Sequence, residues 1–133
     1  MTHLTATGAA LATCLIAALG LAGDVPAAGQ TIATEARGVA TEFFRSQNER
    51  RYDDTCRVLS HGFIESHKLR DRRTCAAVMR VAFVWNGQIV FRIGRVSIEG
   101  SRVIVQAVAD GAPGRMVLVR EGGFLRILEL DGD

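Results

Sequence analysis

Apolar residues recur at helical spacing in the first half of the chain. The stripe follows intervals of four, three and four residues: Ile32, Ala36, Val39 and Phe43. Phe44 widens this stripe, and residues 48–51 lose it. The period predicts an amphipathic helix that packs on a core and ends near residue 48.

Two shorter helices are predicted after residue 51. Asp53 or Asp54 should cap the first of them, because a carboxylate accepts the free N–H groups of a first helical turn. Residues 61–62 should end that helix, since glycine favours a helix C-terminus, and Phe63 should return to the core. The next helix should begin near Thr74 and carry four residues on its inner face: Cys75, Val78, Met79 and Ala82.

The apolar period changes to two after residue 87, which is typical of β-strands. The predicted strands cover residues 88–99, 102–109, 115–120 and 124–130. A loop should fill residues 110–114. This order, helices first and then an antiparallel meander, predicts an α+β fold with the helices on one face of the sheet.

Two places along this pattern are irregular or ambiguous. In the first strand, Ile93 and Val96 belong to opposite phases, and one extra residue at Gly94 would return them to one face. A β-bulge is therefore predicted at Gly94. Residues 81–85 can either finish the third helix or form a further strand that turns through Asn86 and Gly87 in a type I′ hairpin.

The N-terminus has the pattern of a secretory signal peptide. Residues 4–23 carry no charged side chain, and residues 25–27 place small residues before a cleavage site after Ala27. Residues 1–27 would then be the signal peptide and residues 28–133 a single domain, secreted or held in the cell envelope. The apolar run is also nearly as long as the ~20 residues that span a bilayer. An uncleaved membrane anchor is the alternative.

The cysteine count agrees with export. Cys14 lies inside the apolar run, which leaves Cys56 and Cys75 as an even pair in a chain bound for an oxidising space. Their disulfide would close a loop worth about 3 kcal/mol in a chain-entropy treatment. A zinc site with His61 and His67 would need a C-x4-H-x5-H-x7-C spacing, which matches no standard structural site. We therefore predict a disulfide and no metal.

Composition and charge exclude several classes of partner. The 133 residues, 48% of them apolar, fit one domain with a modest core, and the net charge of +2 is too small to predict a polyanion partner. No phosphate loop, dinucleotide motif or nucleic-acid pattern is present, so neither a cofactor nor nucleic acid is predicted. Four cations lie close together: Lys68, Arg70, Arg72 and Arg73. A solvated loop is their simplest interpretation, and an anionic docking patch for phosphate or lipid is the alternative.

Several segments together resemble a secreted bacterial branch of the nuclear transport factor 2-like superfamily, which has a cystatin-like cone fold. They are the long helix with FF near its end, the joint RYDDTCRVLS, and the pattern VxIEGxRVIVQ…GRMVLVREGGFLRILEL. The resemblance covers about residues 32–130. It implies a strongly curved sheet that forms a cone with a pocket, a cysteine pair that ties the second helix to the third, and an open sheet face that serves in homodimers.

The same superfamily includes ketosteroid isomerases and polyketide cyclases, so catalysis must be considered. Isomerase chemistry needs a carboxylate base inside the cone and a buried tyrosine or protonated acid as oxyanion donor. Tyr52 lies at the helix joint, where packing is its expected role, and Asp53 and Asp54 are interpreted as caps. No acid stands at a strand centre among apolar neighbours. No catalytic residue is therefore predicted.

The expected function is that of an exported, non-catalytic domain that binds a small apolar ligand or a protein partner. Six aromatic residues are candidates for its pocket or for packing: Phe43, Phe44, Tyr52, Phe63, Trp85 and Phe91. A small isomerase, dehydratase or cyclase acting on a hydrophobic substrate is the alternative. A membrane-anchored assembly factor is a third interpretation, if the N-terminal segment is retained.

Overall fold

The computed structural model describes residues 27–83 and 86–132. The predicted signal segment up to residue 26 and the pocket candidate Trp85 lie outside the described residues. Four helices come first: α1 (Ala27–Asn48), α2 (Tyr52–Arg57), α3 (His61–Ser66) and α4 (Arg72–Phe83). Among the described residues, no helix combines the length and apolar character needed to cross a bilayer.

Four strands follow the helices and form one antiparallel sheet in the order β1-β2-β3-β4. They are β1 (Phe91–Glu99), β2 (Arg102–Ala109), β3 (Ala112–Glu121) and β4 (Phe124–Gly132). The loop predicted at residues 110–114 is wrong, because β3 already begins at Ala112. Asp110 and Gly111 both have positive φ angles, 50° and 81°. They form the tight turn of a two-residue hairpin, which places Ala112 opposite Ala109.

Two irregularities bend the sheet. The register of β1 against β2 shifts between Ile93 and Val96, which confirms the predicted bulge at Gly94. A second shift lies in β4, where Val117 and Leu118 of β3 pair with Glu129 and Ile127. Bulges of this kind bend a strand and increase its twist. The sheet is therefore curved rather than flat.

The core lies between α1 and one face of this curved sheet. The helix contributes Ala36, Ala40, Phe43 and Phe44, and the strands contribute Val103, Val105, Met116, Leu118, Leu125 and Ile127, all of them buried. The hydrophobic stripe of the sequence is thus the packed face of α1. The residues between α2 and α3 protect an edge of the sheet, because Leu59 forms a parallel bridge with Ile127 of β4.

The expected caps of the second helix are wrong. Arg51 is the N-cap residue of α2, without a side-chain capping hydrogen bond, and the two aspartates lie within the first turn. Asp54 pairs instead with Arg51 (2.6 Å) and Arg57 (2.8 Å). The predicted stop at residues 61–62 is also wrong, because a new helix begins there. Ser60 caps that helix by accepting the N–H of Phe63 at 3.0 Å.

Helix α4 is rotated relative to the prediction. Cys75 and Met79 face the core as expected, but Ala76 and Phe83 join them, whereas Val78 and Ala82 are exposed. The bond from Cys75 to Cys56 fixes the rotation of this helix. The helix includes residues 81–83, and residues 86–90 form no strand. Of the two alternatives for residues 81–85, the end of the helix is therefore confirmed for residues 81–83, and the type I′ hairpin at Asn86 and Gly87 is not formed.

Candidate functional site

Cys56 of α2 and Cys75 of α4 form a disulfide with a Cα–Cα distance of 6.1 Å. Both residues are fully buried. The pairing agrees with the prediction from the cysteine count. The bond ties α2 to α4. The resemblance implied a bond between the second helix and the third. The helix that was expected to be third is the fourth in the structure, because α3 precedes it. A buried disulfide fits a protein that works in an oxidising compartment.

An apolar recess of about 250 Å³ lies between α1 and the sheet. Its lining includes Phe43, Phe44, Ala107, Ala109, Met116 and Leu130. The rings of Phe43 and Phe44 meet edge to face at 5.3 Å, and Phe44 stacks on Phe91 at 4.9 Å. These ring contacts hold one wall of the recess in place. We call this cavity the apolar recess.

Arg115 and Asp131 provide the charged groups of the apolar recess. The Arg115 Nε donates to Asp131 Oδ2 at 3.0 Å, and the two side chains are 49% and 52% exposed. Both groups are therefore solvated and paired. The other described residues of the lining are apolar side chains or glycines.

A second cavity, of about 230 Å³, lies at the C-terminal end of α1, and we call it the polar cavity. Its lining comprises Gln47, Asn48, Arg50, Tyr52, Phe83, Asn86, Gly87, Gln88 and Ile89. The side chain of Asn48 clamps the backbone of Ile89, donating to its carbonyl at 2.9 Å and accepting from its N–H at 2.7 Å. Gln88 Nε2 donates in turn to the Asn48 carbonyl at 2.8 Å. These bonds fix the wall formed by residues 86–89.

The six aromatic candidates do not gather in one pocket. Phe43 and Phe44 line the apolar recess, whereas Tyr52 lines the polar cavity. Phe63 is buried in the core and stacks on the ring of His67 at 4.0 Å. The alanines of the recess were missed, although they occupy alternate positions of a predicted strand. The amides of the polar cavity were missed because Gln47 and Asn48 end a helix, whereas Asn86 and Gln88 come about forty residues later, and no local pattern joins the two segments.

The four cations of the anionic patch also separate. Lys68, Arg70 and Arg73 are exposed and form no ion pair with a described residue. Arg72 turns toward the fold, where it donates to the Leu59 carbonyl at 3.3 Å and lies 3.7 Å from Glu121. Among the described residues, no group of three His, Cys, Asp or Glu side chains could hold a metal ion.

Glu35 connects α1 to the β3–β4 hairpin. Its carboxylate accepts the backbone N–H of Leu125 at 3.0 Å and a hydrogen bond from Arg120 at 3.1 Å. The bond from Leu125 lowers the pKa of Glu35, and the positive charge of Arg120 lowers it further, although burial opposes both effects. The carboxylate is thus held in its ionised form.

Helices packed on one face of a curved, four-stranded antiparallel sheet form an α+β arrangement that is consistent with a nuclear transport factor 2-like cone. The sequence matches no protein-family model and no curated protein. A Thiobacillus denitrificans protein, described as a calcium/calmodulin-dependent protein kinase type II association domain, is similar in structure. The TM-score is 0.52 at 16% identity, over 72% of this chain and 91% of that one. At this identity the likeness shows the fold alone.

Proposed function

We propose that this protein is an exported, non-catalytic domain that binds a small apolar ligand in the apolar recess. The observation that carries the proposal is the lining of that recess, where two phenylalanines face small and aliphatic side chains of the sheet. Apolar walls favour transfer of an apolar ligand out of water. The fold is compatible with either a binding domain or an enzyme, so the lining of the recess, and not the fold, supports binding.

The volume of the recess limits the size of the ligand. A cavity of about 150 Å³ lined by aliphatic and aromatic side chains accommodates benzene. The 250 Å³ of the apolar recess fit one aromatic ring with a substituent, or a short acyl chain. Drug-sized ligands occupy larger pockets, of about 300–1,000 Å³. The ligand class is therefore a small, largely apolar molecule.

The charged groups of the recess favour binding over catalysis. Proton transfer to an apolar substrate needs a base within hydrogen-bonding reach of the reacting carbon, preferably shielded from water. Asp131 is half exposed and paired with Arg115. Tyr52, the single tyrosine of the chain, lines the other cavity. These placements support a non-catalytic role over an isomerase, dehydratase or cyclase.

Export is part of the proposal and rests on two observations. The buried disulfide fits an extracellular or envelope location, and residues 1–27 have the sequence of a signal peptide. This combination supports the proposal that the protein belongs to the secreted bacterial branch that its sequence resembles. If the signal segment is retained, the same domain would be anchored at the membrane surface.

A second copy of the chain is the proposed protein partner. The superfamily resemblance implies a homodimer through the open face of the sheet. On that face, Ile104 and Val117 are buried. Two ion pairs flank them: Arg102–Glu129 and Arg115–Asp131. Light scattering after size-exclusion chromatography should give twice the mass of one chain. Replacing Val119, half-buried on the same face, with lysine should yield monomers; a monomeric wild type would contradict this arrangement.

The ligand proposal is tested with naphthalene as a fluorescent apolar probe. Naphthalene should bind saturably to the purified domain, and Ala109→Leu should weaken binding at least about tenfold, because the added carbons fill the recess. Ala77→Leu is the matched control, since it adds the same carbons to the exposed face of α4. Equal binding by both variants and the wild type would contradict the proposal.

A further inference from the structure

We propose that the polar cavity is a second binding site, which takes a small carboxylate bearing a hydroxyl group. This inference does not depend on the apolar ligand, because the lining residues of the polar cavity and of the apolar recess are different. The polar cavity has a volume of about 230 Å³, and its lining includes four side-chain amides, a phenol and a guanidinium.

The hydroxyl of Tyr52 is the group that points to a ligand. Tyr52 is only 3% exposed, yet its hydroxyl has no hydrogen-bond partner among the described residues. Every fully buried side-chain nitrogen and oxygen in the described part of the chain has a partner. The hydroxyl is therefore not fully enclosed, and Tyr52 is a lining residue of the polar cavity. A buried phenol normally finds a partner, and a ligand in the polar cavity would supply one.

The charge of the lining selects an anion. Arg50 forms no ion pair with a described residue, whereas the neighbouring Arg51 is held by Glu42, Glu49 and Asp54. None of the described lining residues is acidic. A guanidinium and a phenol donate strong hydrogen bonds to a carboxylate. A neutral sugar would more commonly be met by acceptor carboxylates, which this lining does not supply.

The side-chain amides of the lining provide acceptors for a hydroxyl group of the ligand. Gln47 Nε2 donates to the Phe43 carbonyl at 2.9 Å, and Gln88 Nε2 donates to the Asn48 carbonyl at 2.8 Å. Their amide oxygens accept no hydrogen bond from a described residue. They can accept a bond from a ligand hydroxyl. The site thus offers donors for a carboxylate and acceptors for a hydroxyl.

The backbone at Arg50 allows a test that separates binding from folding. Arg50 follows α1 with a φ of 58°, its N–H bonds the Gln47 carbonyl, and the Arg51 N–H bonds the Ser46 carbonyl. These two hydrogen bonds form a Schellman motif, in which Arg50 occupies the left-handed position that glycine usually takes. Lys68, after α3, has the same motif and a φ of 56°. It does not line the polar cavity.

The experiment titrates the purified domain with L-lactate and with lactamide, its uncharged isostere. Because the chain contains one tyrosine, the ring signals of Tyr52 in a proton NMR spectrum report occupancy directly. Lactate should shift them saturably, and lactamide should bind at least about tenfold more weakly, because a hydrogen bond to a charged group is the stronger one. Tyr52→Phe should weaken lactate binding by a similar factor, measured by calorimetry, and leave the denaturation midpoint almost unchanged.

Two glycine variants complete the test. Arg50→Gly and Lys68→Gly should both raise the denaturation midpoint, because each relieves a left-handed backbone conformation. Only Arg50→Gly should weaken lactate binding, by about tenfold. The proposal is overturned if lactate does not saturate, if lactamide binds equally well, or if Arg50→Gly and Tyr52→Phe bind lactate as the wild type does. Naphthalene binding to these variants should not change, which keeps this site separate from the apolar recess.

Discussion

A single carboxylate, that of Glu35, joins elements that are about ninety residues apart in the chain, since it accepts the N–H of Leu125. Its pKa is lowered from 4.5 chiefly by that hydrogen bond and then by Arg120. A group whose pKa is lower in the folded state stabilises the fold above its unfolded pKa. This stability is lost as the pH falls through the folded pKa.

The pH dependence of unfolding should therefore change in Glu35→Gln. At pH 7 the variant should be less stable than the wild type by about 1 kcal/mol, because it loses a charge-assisted hydrogen bond at a partly exposed site. The difference should shrink as the pH falls from 4.5, the ordinary pKa, through the lowered pKa of the folded state, where the wild-type carboxylate becomes protonated. Urea denaturation at pH 7 and pH 3 measures it, and a constant difference at both values would contradict the role of Glu35.

The sequence predicted residues correctly where one local property decided their place. Phe43 and Phe44 lie in a helical stripe, and both pack on the sheet. It failed where two neighbours compete for one role. Asp53 and Asp54 were expected to cap α2, but Asp54 instead bonds two arginines, and only the folded chain shows that choice.

At the scale of elements, the disulfide should be a main source of stability. The double variant Cys56→Ala/Cys75→Ala should unfold about 3 kcal/mol more easily than the wild type, because its unfolded chain is no longer cross-linked. Guanidinium denaturation checks this value. Adding reductant to the wild type during unfolding should reproduce the loss, whereas it should leave the double variant unchanged. Two free thiols in the unreduced protein would contradict the bond.

Two glycines should respond to alanine in opposite directions. Gly38 lies inside α1 with open space around it, so Gly38→Ala should stabilise the protein by about 1 kcal/mol. A Cβ at Gly114 would lie 2.8 Å from the carbonyl oxygen of Asp131. Gly114→Ala should therefore destabilise it by about 1–3 kcal/mol and push β4 from β3. Thermal unfolding of both variants measures the two changes in stability. Changes of the same sign in the midpoint temperature would contradict this geometry.

Elements were predictable where their pattern is periodic. The phase change across Gly94 predicted the bulge of β1, because side chains alternate strictly along a strand. The alternative of a hairpin at Asn86 and Gly87 fails for a reason outside its own sequence. Asn48, at the end of α1, supplies both hydrogen bonds to Ile89 that a neighbouring strand would have provided.

At the scale of the whole molecule, the mature protein should begin at Ala28. Cells that express the full chain should release a processed form into the periplasm or medium, since the small residues at 25–27 fit a signal peptidase site. N-terminal sequencing after cell fractionation measures the start. A full-length product in the membrane fraction would favour the anchor instead.

The sequence by itself determined that helices precede a meander of four strands, that the first strand is bulged and that two cysteines form a pair, because each depends on local periodicity or on a count of residues. Only the tertiary structure decided the rotation of α4 and the separation of the aromatic residues among the apolar recess, the polar cavity and the core. The alanines of β2 meet Phe43 and Phe44 through sheet register and curvature, and Tyr52 meets the amides of residues 86–88 because a helix end and a distant segment are clamped together. Contacts between residues so far apart in the chain follow from packing, which no local pattern encodes.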